Sequence, residues 1–214
     1  TIDQDIHWVA QRALAARVKL ANADNGTIVV LDPKTGHILA IASVPTLDPN
    51  DPTSAPIENR SNLAVTQNFA PGSTSKVMSL SAVMNEGKVN QLSEFTVPNR
   101  LKRPGKTISD HEDHPTLKLT LTGVLAQSSN IGTILASENI SGQTLYDYYK
   151  KFGVAQSTGL GFPGESKGAM LALKDWSKTT FPTMTFGQGI SMTQLQAASV
   201  FATIANDGVR VSPT

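Results

Sequence analysis

A serine and a lysine three residues apart are the residues of this sequence best suited to covalent chemistry. They stand in Ser73-Thr74-Ser75-Lys76, at the start of a helix predicted over residues 73–85. Because helical positions i and i+3 share a face, the Ser73 hydroxyl and the Lys76 amine can meet. A lysine held neutral by burial or by a second cation can take the proton of the serine and make it a nucleophile. The free N–H groups of the helix start would also favour negative charge that develops at Ser73.

The same residues fit a purely structural role. Serine is a preferred N-cap residue, and S-x-x-K is expected by chance about once in a chain of this size at average residue usage. Ser73 is therefore either a helix cap or a nucleophile, and the motif taken alone favours the cap. Other parts of the chain must decide between the two interpretations.

Ser128-Ser129-Asn130 is the second stretch that could do chemistry. It lies between two predicted helices, one over residues 121–127 with Thr120 as its cap and one over residues 131–139. A hydroxyl and an amide at such a junction can point into one cleft, where the hydroxyl relays a proton and the amide holds a substrate carbonyl or the lysine. A junction that merely uses good capping residues is the alternative. Ser137-Glu138-Asn139 repeats the pattern inside or at the end of a helix, so the first copy is preferred.

The N-terminal region predicts the framework that must position these motifs. Residues 3–20 predict an amphipathic helix that Asp3 can cap, and the apolar runs 27–31 and 37–42 predict a hairpin around the turn at residues 32–36. Both strands are apolar at nearly every position, so helices are expected on both faces of the sheet. Two strands do not make a stable sheet, so further sheet strands are expected outside this chain.

The rest of the chain predicts loops and helices. Residues 44–60 carry four prolines and predict a loop, and residues 88–115 predict an irregular stretch. Helices are predicted over residues 143–152 and 193–206, on either side of a glycine-rich loop at residues 159–168. The order of these elements predicts an α/β sandwich with a helical insertion.

Composition excludes several classes of function. The 214 residues suit one large domain or two small ones, and 39% hydrophobic with 16% charged residues allows a core. The formal charge is +1, with 18 basic against 17 acidic residues and no basic block, so no nucleic-acid partner is expected. No apolar run approaches the ~20 residues of a membrane span, and no signal peptide opens the chain. The absence of cysteine fits an extracytoplasmic domain without disulfides, and fits many cytosolic proteins equally well.

Three further stretches have residue types that can bind ligands. His111-Glu112-Asp113-His114 has metal-binding side chains, but the tight spacing, the proline that follows and the lack of a third ligand cluster predict a polar surface loop rather than a zinc site. The loop at residues 159–164 lacks the Lys-Ser/Thr of a phosphate-binding loop, so it is predicted to be structural. Gly187-Gln188-Gly189 either lines a cleft floor or serves packing. No metal or cofactor is expected.

The S-x-x-K at Ser73 followed by Ser128-Ser129-Asn130 resembles the penicillin-recognising serine enzymes, whose motif set is S-x-x-K, S-D-N and K-T-G. The resemblance covers essentially the whole chain and is greatest to the transpeptidase domain of class B, high-molecular-weight penicillin-binding proteins. It implies an α/β fold in which helices sandwich an antiparallel sheet beside a mainly helical subdomain, as in β-lactamases and transpeptidases. The other segments that carry the resemblance are residues 1–3, 26–43, 59–60, 71–73, 126–127, 152–153, 159–165 and 186–189.

Two departures from the family pattern bear on the site. Ser129 stands where the pattern has Asp, which many penicillin-binding proteins tolerate and a typical class A β-lactamase does not. K-T-G occurs as Lys34-Thr35-Gly36, in the hairpin turn before the nucleophile, whereas the family has it on a strand well after the second motif. We therefore interpret this K-T-G as a turn. Residues 206–213 resemble the segment that precedes the true motif, and a companion C-terminal segment carrying K-[TS]-G is expected.

These departures imply that residues 1–214 are the N-terminal part of one transpeptidase domain. Residues 1–45 would form a helix and the first sheet hairpin, and residues 60–160 a mainly helical region with the first two motifs. Residues 161–214 would return toward the sheet, whose later strands are missing from this chain.

The resemblance implies serine D,D-transpeptidation of peptidoglycan. Ser73 would attack the penultimate D-Ala carbonyl of a stem peptide that ends in D-Ala-D-Ala, and Lys76 would take its proton. Ser128 would pass a proton to the leaving D-Ala, while Asn130 would hold the peptide amide and help to position Lys76. β-Lactam antibiotics would acylate Ser73 as mimics of that peptide. Without the third motif, these residues alone are expected to be inactive.

Other functions within reach of the same motifs are those of a β-lactamase, a D,D-carboxypeptidase, a non-catalytic β-lactam sensor or a cell-wall scaffold. The resemblance also implies a place on the extracytoplasmic face of the bacterial cell membrane, with an N-terminal transmembrane anchor absent from this chain. Other cell-wall synthesis proteins, acting in division or in elongation, are the expected protein partners.

Overall fold

The computed structural model describes residues 2–48, 50–57 and 60–214. The resemblance noted for Thr1 and Asn59, like the loop expected around Pro49 and Glu58, therefore concerns residues outside the described ones.

The chain forms two compact units. Unit 1 consists of Thr1–Phe69, Phe152–Gly168 and Met192–Thr214, and unit 2 of Ala70–Lys151 and Ala169–Ser191. Each unit is assembled from segments that are distant in sequence, so long-range packing rather than chain order defines it.

Unit 1 contains the predicted N-terminal helix and hairpin. Helix α1 (Gln4–Ala21) begins at Asp3, whose carboxylate accepts the Ile6 N–H at 3.0 Å. Strand β1 (Gly26–Leu31) pairs antiparallel with β2 (Ile38–Val44). These elements confirm the predicted helix, its cap and the strand pair.

The K-T-G of this chain is part of the hairpin turn. The Asp32 carboxylate accepts the backbone N–H of Lys34 at 2.8 Å, and Gly36 has a φ of +75°. The segment that ends at Thr214 runs beside this hairpin, since the Thr214 N–H donates to the Gly36 carbonyl at 2.8 Å and the Ile38 N–H donates to the Thr214 carbonyl at 2.9 Å. The interpretation of Lys34-Thr35-Gly36 as a turn is confirmed.

Helices cover both faces of the β1–β2 pair. On one face, Ala10 and Leu14 of α1 pack with Ala40 and Ala42. On the other face, Val65 of helix α2 (Leu63–Thr66) and Leu195 of helix α8 (Gln194–Ala205) pack with Ile38. The continuous apolar strands are explained by this double coverage.

The start of α8 is anchored by a capping box and a buried glutamine. The Thr193 hydroxyl accepts the Gln196 N–H at 3.2 Å, and Gln196 Oε1 accepts the Thr193 N–H at 2.7 Å. Gln196 Nε2 also donates to the carbonyls of Gln156 and Lys167, at 2.7 and 2.9 Å. One side chain therefore ties the helix to Gln156, which precedes the glycine-rich loop, and to Lys167 near the end of that loop.

Unit 2 is mainly helical and carries three short antiparallel strand pairs, β3–β6, β4–β5 and β7–β8. Its elements are α3 (Lys76–Asn85), β3 (Glu94–Val97), β4 (Leu101–Arg103), β5 (Lys106–Ile108), β6 (Leu117–Thr120), α4 (Leu121–Ala126), α5 (Asn130–Ser137), α6 (Gly142–Lys151), β7 (Ala169–Met170), α7 (Thr180–Met184) and β8 (Ile190–Ser191).

The prediction of an irregular stretch over residues 88–115 was wrong, because β3, β4 and β5 lie within it. Each of these strands is three or four residues long, with Val97, Leu101 or Ile108 as its single buried residue. A strand that short has too few residues to show an alternating pattern, and the surrounding prolines and lysines concealed it.

The core of unit 2 fixes α3 against its neighbours, since α3 contacts both α5 and α6. Next to the apolar core lies a buried hydroxyl pair: the Ser79 hydroxyl donates to the Thr185 carbonyl at 2.7 Å, and the Tyr149 hydroxyl to the Met184 carbonyl at 2.6 Å. The two hydroxyl oxygens lie 2.9 Å apart. Buried polar groups paired in this way hold the helix in a single position.

In the described ranges, no helix has both the length and the apolar character needed to cross a lipid bilayer.

Candidate active site

Ser73 lies on a single 3-10 turn, Gly72–Ser75, that leads directly into α3. The helix was predicted to begin at Ser73, whereas α3 begins at Lys76. No side chain caps either element, and Ser73 is not the N-cap of either, so the helix-cap interpretation is wrong. Ser73 is exposed, and its hydroxyl makes no hydrogen bond to the described residues. It is therefore open to a ligand.

Gly187 packs closely against this turn. Gly187 has a φ of +90°, and a Cβ placed on it would lie 1.9 Å from the Gly72 carbonyl oxygen and 2.4 Å from Ser75 Oγ. The Ser75 hydroxyl donates to the same Gly72 carbonyl at 2.8 Å. Of the two roles considered for Gly187-Gln188-Gly189, this contact supports packing for Gly187, because only a glycine allows the two backbones to approach so closely.

The amine of Lys76 is enclosed by the protein, and the residue as a whole is 0% exposed. Nζ donates to Ser128 Oγ at 3.0 Å and also to the Ser128 carbonyl. Burial lowers the pKa of Lys76 from 10.5 to about 8, against a Coulombic interaction with Asp110 that acts to raise it. A neutral amine has two N–H groups, so donating both to Ser128 leaves its lone pair free to take a proton.

The predicted meeting of Ser73 and Lys76 is not a hydrogen bond in the described structure. Their backbones are joined, since the Lys76 N–H donates to the Ser73 carbonyl. Hydrogen bonds between catalytic groups are often long or poorly aligned without substrate and tighten in the complex. The relevant observation is therefore that Ser73 lies on the turn and Lys76 begins the helix directly after it.

The second motif forms the junction between α4 and α5. Thr120 caps α4 as predicted, accepting the Gly123 N–H at 3.1 Å. Ser128 is exposed and has a φ of +53°, so its backbone departs from the helical conformation. Ser129 is 2% exposed and caps α5, accepting the Gly132 N–H at 2.8 Å. The junction is therefore both a capped helix start and a source of an exposed hydroxyl.

Asn130 does not reach Lys76 in the described structure. Its Nδ2 donates to the Ser109 carbonyl at 3.1 Å, and Asn130 is the first residue of α5 rather than part of the loop before it. The site thus brings Lys76 and Ser128 into contact, with Ser73 on the adjoining turn and Asn130 held by the strand-to-loop segment after β5.

Asp110 is a residue of this site that the sequence did not reveal. Its carboxylate accepts the Ser129 hydroxyl at 2.7 Å and the Ile131 N–H at 3.0 Å, and lies 3.2 Å from His114 Nε2. In the sequence it is one acidic residue in a polar stretch. The related signal in the sequence is Ser129, which stands where the family pattern has an aspartate and whose hydroxyl donates to Asp110.

The residues of the His-Glu-Asp-His stretch have separate partners. His114 pairs with Asp110, whereas Asp113 Oδ1 lies 2.6 Å from Arg100. Among the described residues, no group of three or more His, Cys, Asp or Glu side chains is arranged to hold a metal ion. The surface-loop interpretation is consistent with these contacts.

The chain is similar to bacterial cell-wall enzymes. The family model for the penicillin binding protein transpeptidase domain matches residues 26–214. Penicillin-binding protein PbpB of Mycobacterium tuberculosis is 39% identical over 214 residues, which are 100% of this chain and 32% of that protein. Peptidoglycan D,D-transpeptidase FtsI of Escherichia coli is 35% identical over 210 residues, 98% of this chain and 35% of that protein.

The fold is similar to that of solved members. The crystal structure of penicillin binding protein 3 from Mycobacterium tuberculosis, complexed with aztreonam, matches with a TM-score of 0.93 at 39% identity, over 100% of this chain and 48% of that one. This similarity confirms the expected fold class. The chain spans about a third of the length of the two curated relatives, 32% and 35%.

Proposed function

The chain belongs to the penicillin-binding protein transpeptidase domain family, and on that premise we propose that the complete protein is a serine D,D-transpeptidase. It would cross-link peptidoglycan stem peptides through an acyl-enzyme and be a target of β-lactam antibiotics. The observation that carries the proposal is the buried amine of Lys76, with its pKa lowered to about 8. It is bonded to Ser128 and lies at the end of the turn that exposes Ser73.

In the proposed acylation, Ser73 Oγ attacks the carbonyl carbon of the penultimate D-Ala, and Lys76 Nζ takes the hydroxyl proton. The C–N bond to the terminal D-Ala then breaks, and the leaving amine receives a proton through Ser128 Oγ, 3.0 Å from Nζ. The product is an ester on Ser73 and free D-Ala. An amine from a neighbouring peptidoglycan strand attacks that ester, which forms the cross-link and restores the Ser73 hydroxyl.

The developing oxyanion needs hydrogen-bond donors. The Ser73 backbone N–H would supply one, and we assign the second to the companion segment carrying K-[TS]-G after residue 214. Loss of a single oxyanion donor costs about 10²–10³ in rate, so both donors are needed for activity. Asn130 would hold the amide of the bound peptide after releasing the Ser109 carbonyl, to which it donates in this structure.

The proposal also covers the cellular location of the protein and its protein partners. One relative is named peptidoglycan D,D-transpeptidase FtsI, and one solved relative is complexed with the β-lactam aztreonam; both support this part of the proposal. We infer that the complete protein is anchored at the extracytoplasmic face of the bacterial cell membrane. There it would act with other cell-wall synthesis proteins.

The experiment that tests this function supplies the complete protein with a stem peptide ending in D-Ala-D-Ala and an acceptor amine. We expect release of D-Ala together with a cross-linked product, both lost in Ser73→Ala. Thr74→Ala is the matched control, because Thr74 is also exposed and its hydroxyl is engaged with the Pro71 carbonyl. D-Ala release without cross-linking would instead indicate a carboxypeptidase. If no D-Ala is released and the protein forms a stable adduct when it is given a β-lactam, it would be a sensor.

A further inference from the structure

We propose that Asp110 is a positioning residue for the acyl-transfer reaction, which fixes the start of α5 and thereby holds Ser128 against Lys76. This inference rests on the proposed function, since it concerns how the same site is assembled.

The first observation is that Asp110 uses both carboxylate oxygens on the start of α5, one on its cap residue and one on its second residue. Oδ1 accepts the Ile131 N–H at 3.0 Å, and Oδ2 accepts the Ser129 hydroxyl at 2.7 Å. Its side chain is 11% exposed, so water competes little for these bonds. Hydrogen bonds to an ionised acceptor are stronger than neutral ones, which makes this a firm anchor for the helix start.

The second observation is the position of Ser128, directly before the anchored residue. Ser128 has a φ of +53°, a conformation that L-residues other than glycine rarely adopt and that the surroundings must enforce. Ser129 supplies that enforcement, because its hydroxyl is held between Asp110 and the Gly132 N–H. If Ser129 is released, Ser128 loses the constraint that presents its hydroxyl and its carbonyl to Lys76.

The third observation is electrostatic. The negative charge of Asp110 acts on Lys76 through a Coulombic interaction that raises the pKa of the amine, while burial lowers it. Asp110 therefore contributes to the pH at which Lys76 becomes a base, besides fixing the partner of that base.

His114 supports Asp110 on its other side. Nε2 lies 3.2 Å from Asp110 Oδ2, and Nδ1 lies 2.7 Å from the Pro115 carbonyl. The titratable groups that face Asp110 are thus the Lys76 amine, through its Coulombic interaction, and the His114 imidazole, through this contact.

The test uses Asp110→Asn in the complete protein, which keeps the shape and removes the charge. The second-order rate of acylation by a fluorescent penicillin is measured between about pH 6 and 10, a range that spans the titration of Lys76. We expect the rate to fall roughly ten- to a hundredfold, the loss typical of one hydrogen bond to a charged group. We also expect the acid limb of the profile to move to lower pH, because Lys76 loses the charge that raises its pKa.

Asp113→Asn is the matched control. Asp113 belongs to the same loop, is exposed and pairs with Arg100 at 2.6 Å, so its removal should change neither the rate nor the acid limb. If Asp110→Asn does not fold, Asp110→Glu serves instead: it keeps the charge, and we expect a slower rate with an unmoved acid limb.

A double-mutant cycle separates positioning from general stability. If Asp110 acts through Ser129, the rate losses of Asp110→Asn and Ser129→Ala will not add in the double variant. Additive losses, or an acid limb that stays in place in Asp110→Asn, would overturn the inference. A wild-type protein that no penicillin labels would contradict the proposed function, whereas labelling that is insensitive to Asp110→Asn would contradict only the role of Asp110.

Discussion

The amine of Lys76 lies where a positive charge is costly, enclosed in unit 2 with Ser128 oxygens as its partners. A surface lysine would be almost fully protonated at neutral pH and could not take a proton from a serine. Burial shifts Lys76 toward the neutral form, and Asp110 opposes part of that shift. The residue that burial makes useful as a base is therefore also a source of instability.

The pH dependence of acylation should report this amine. We expect the rate at which penicillin acylates the complete protein to rise as the pH passes through about 8, the pKa of Lys76. Lys76→Arg should lower the rate at the optimum by about 10²–10⁴-fold, because a guanidinium stays protonated and cannot act as the base. A profile without a limb near that pH, or an active Lys76→Arg variant, would contradict the role of Lys76.

Thermal stability should show the cost of burying the Lys76 charge. The folded-state pKa of Lys76, about 8, lies below the ordinary value of 10.5, so the cost of burying the charge is complete below pH 8 and disappears as the pH rises to 10.5. We expect Lys76→Met to raise the melting temperature at neutral pH, by an amount that shrinks toward pH 10. Lys118→Met, at an exposed lysine of the same unit, should show no such trend.

At the scale of elements, the turn Gly72–Ser75 and the loop at Gly187 must fit together before Ser73 can be presented. Local sequence predicts the turn only in part. The Pro-Gly before Ser73 indicates a break, but the contact that shapes it comes from a glycine more than one hundred positions later in the chain. Long-range contacts of this kind cannot be inferred from the spacing of residues within one helix.

Gly187→Ala tests that contact. The new Cβ would lie 1.9 Å from the Gly72 carbonyl oxygen, so the turn with Ser73 must move. We expect a lower melting temperature and a loss of acylation. Gly189→Ala is a close control, because Gly189 has a similar φ of +82° and the nearest atom to its Cβ is 3.7 Å away.

Both glycine variants bear the backbone strain of a positive φ, roughly 1–3 kcal/mol. The additional loss in Gly187→Ala measures the close approach itself. Equal effects of the two substitutions would contradict the packing role of Gly187.

Gln196 offers a second test at this scale, in unit 1. Gln196→Leu keeps the volume but removes the donor that holds the Gln156 and Lys167 carbonyls. We expect a loss of about 1–3 kcal/mol in the free energy of unfolding, measured by denaturant titration, because buried polar partners are left with fewer hydrogen bonds. Gln194→Leu, at a partly exposed position on the same turn, should cost much less.

At the scale of the whole molecule, the sequence and the structure agree where the determinants are local. Asp3 and Thr120 were predicted as caps from their own neighbours, and each accepts the N–H three residues later. Strands β3, β4 and β5 were missed because they are too short to show a period. Asp110 was missed because its partner Ser129 is 19 positions away.

The candidate site follows the same division. The exposed Ser73 and the buried Lys76 come from one turn and the helix after it, and motif spacing predicted that they lie close together. Their proposed roles came from the family resemblance. The contact of Lys76 with Ser128 joins residues 52 positions apart, which motif order indicated only through family resemblance. The two curated relatives extend well beyond this chain, so the decisive measurement uses the complete protein.

That measurement is the covalent mapping of a β-lactam adduct. The complete protein is incubated with a labelled penicillin, digested, and the modified peptide is sequenced by mass spectrometry. We expect one adduct, with the mass of the opened penicillin, on Ser73, and no adduct in Ser73→Ala. An adduct on another residue, or labelling that survives Ser73→Ala, would contradict the assignment of Ser73 as the nucleophile.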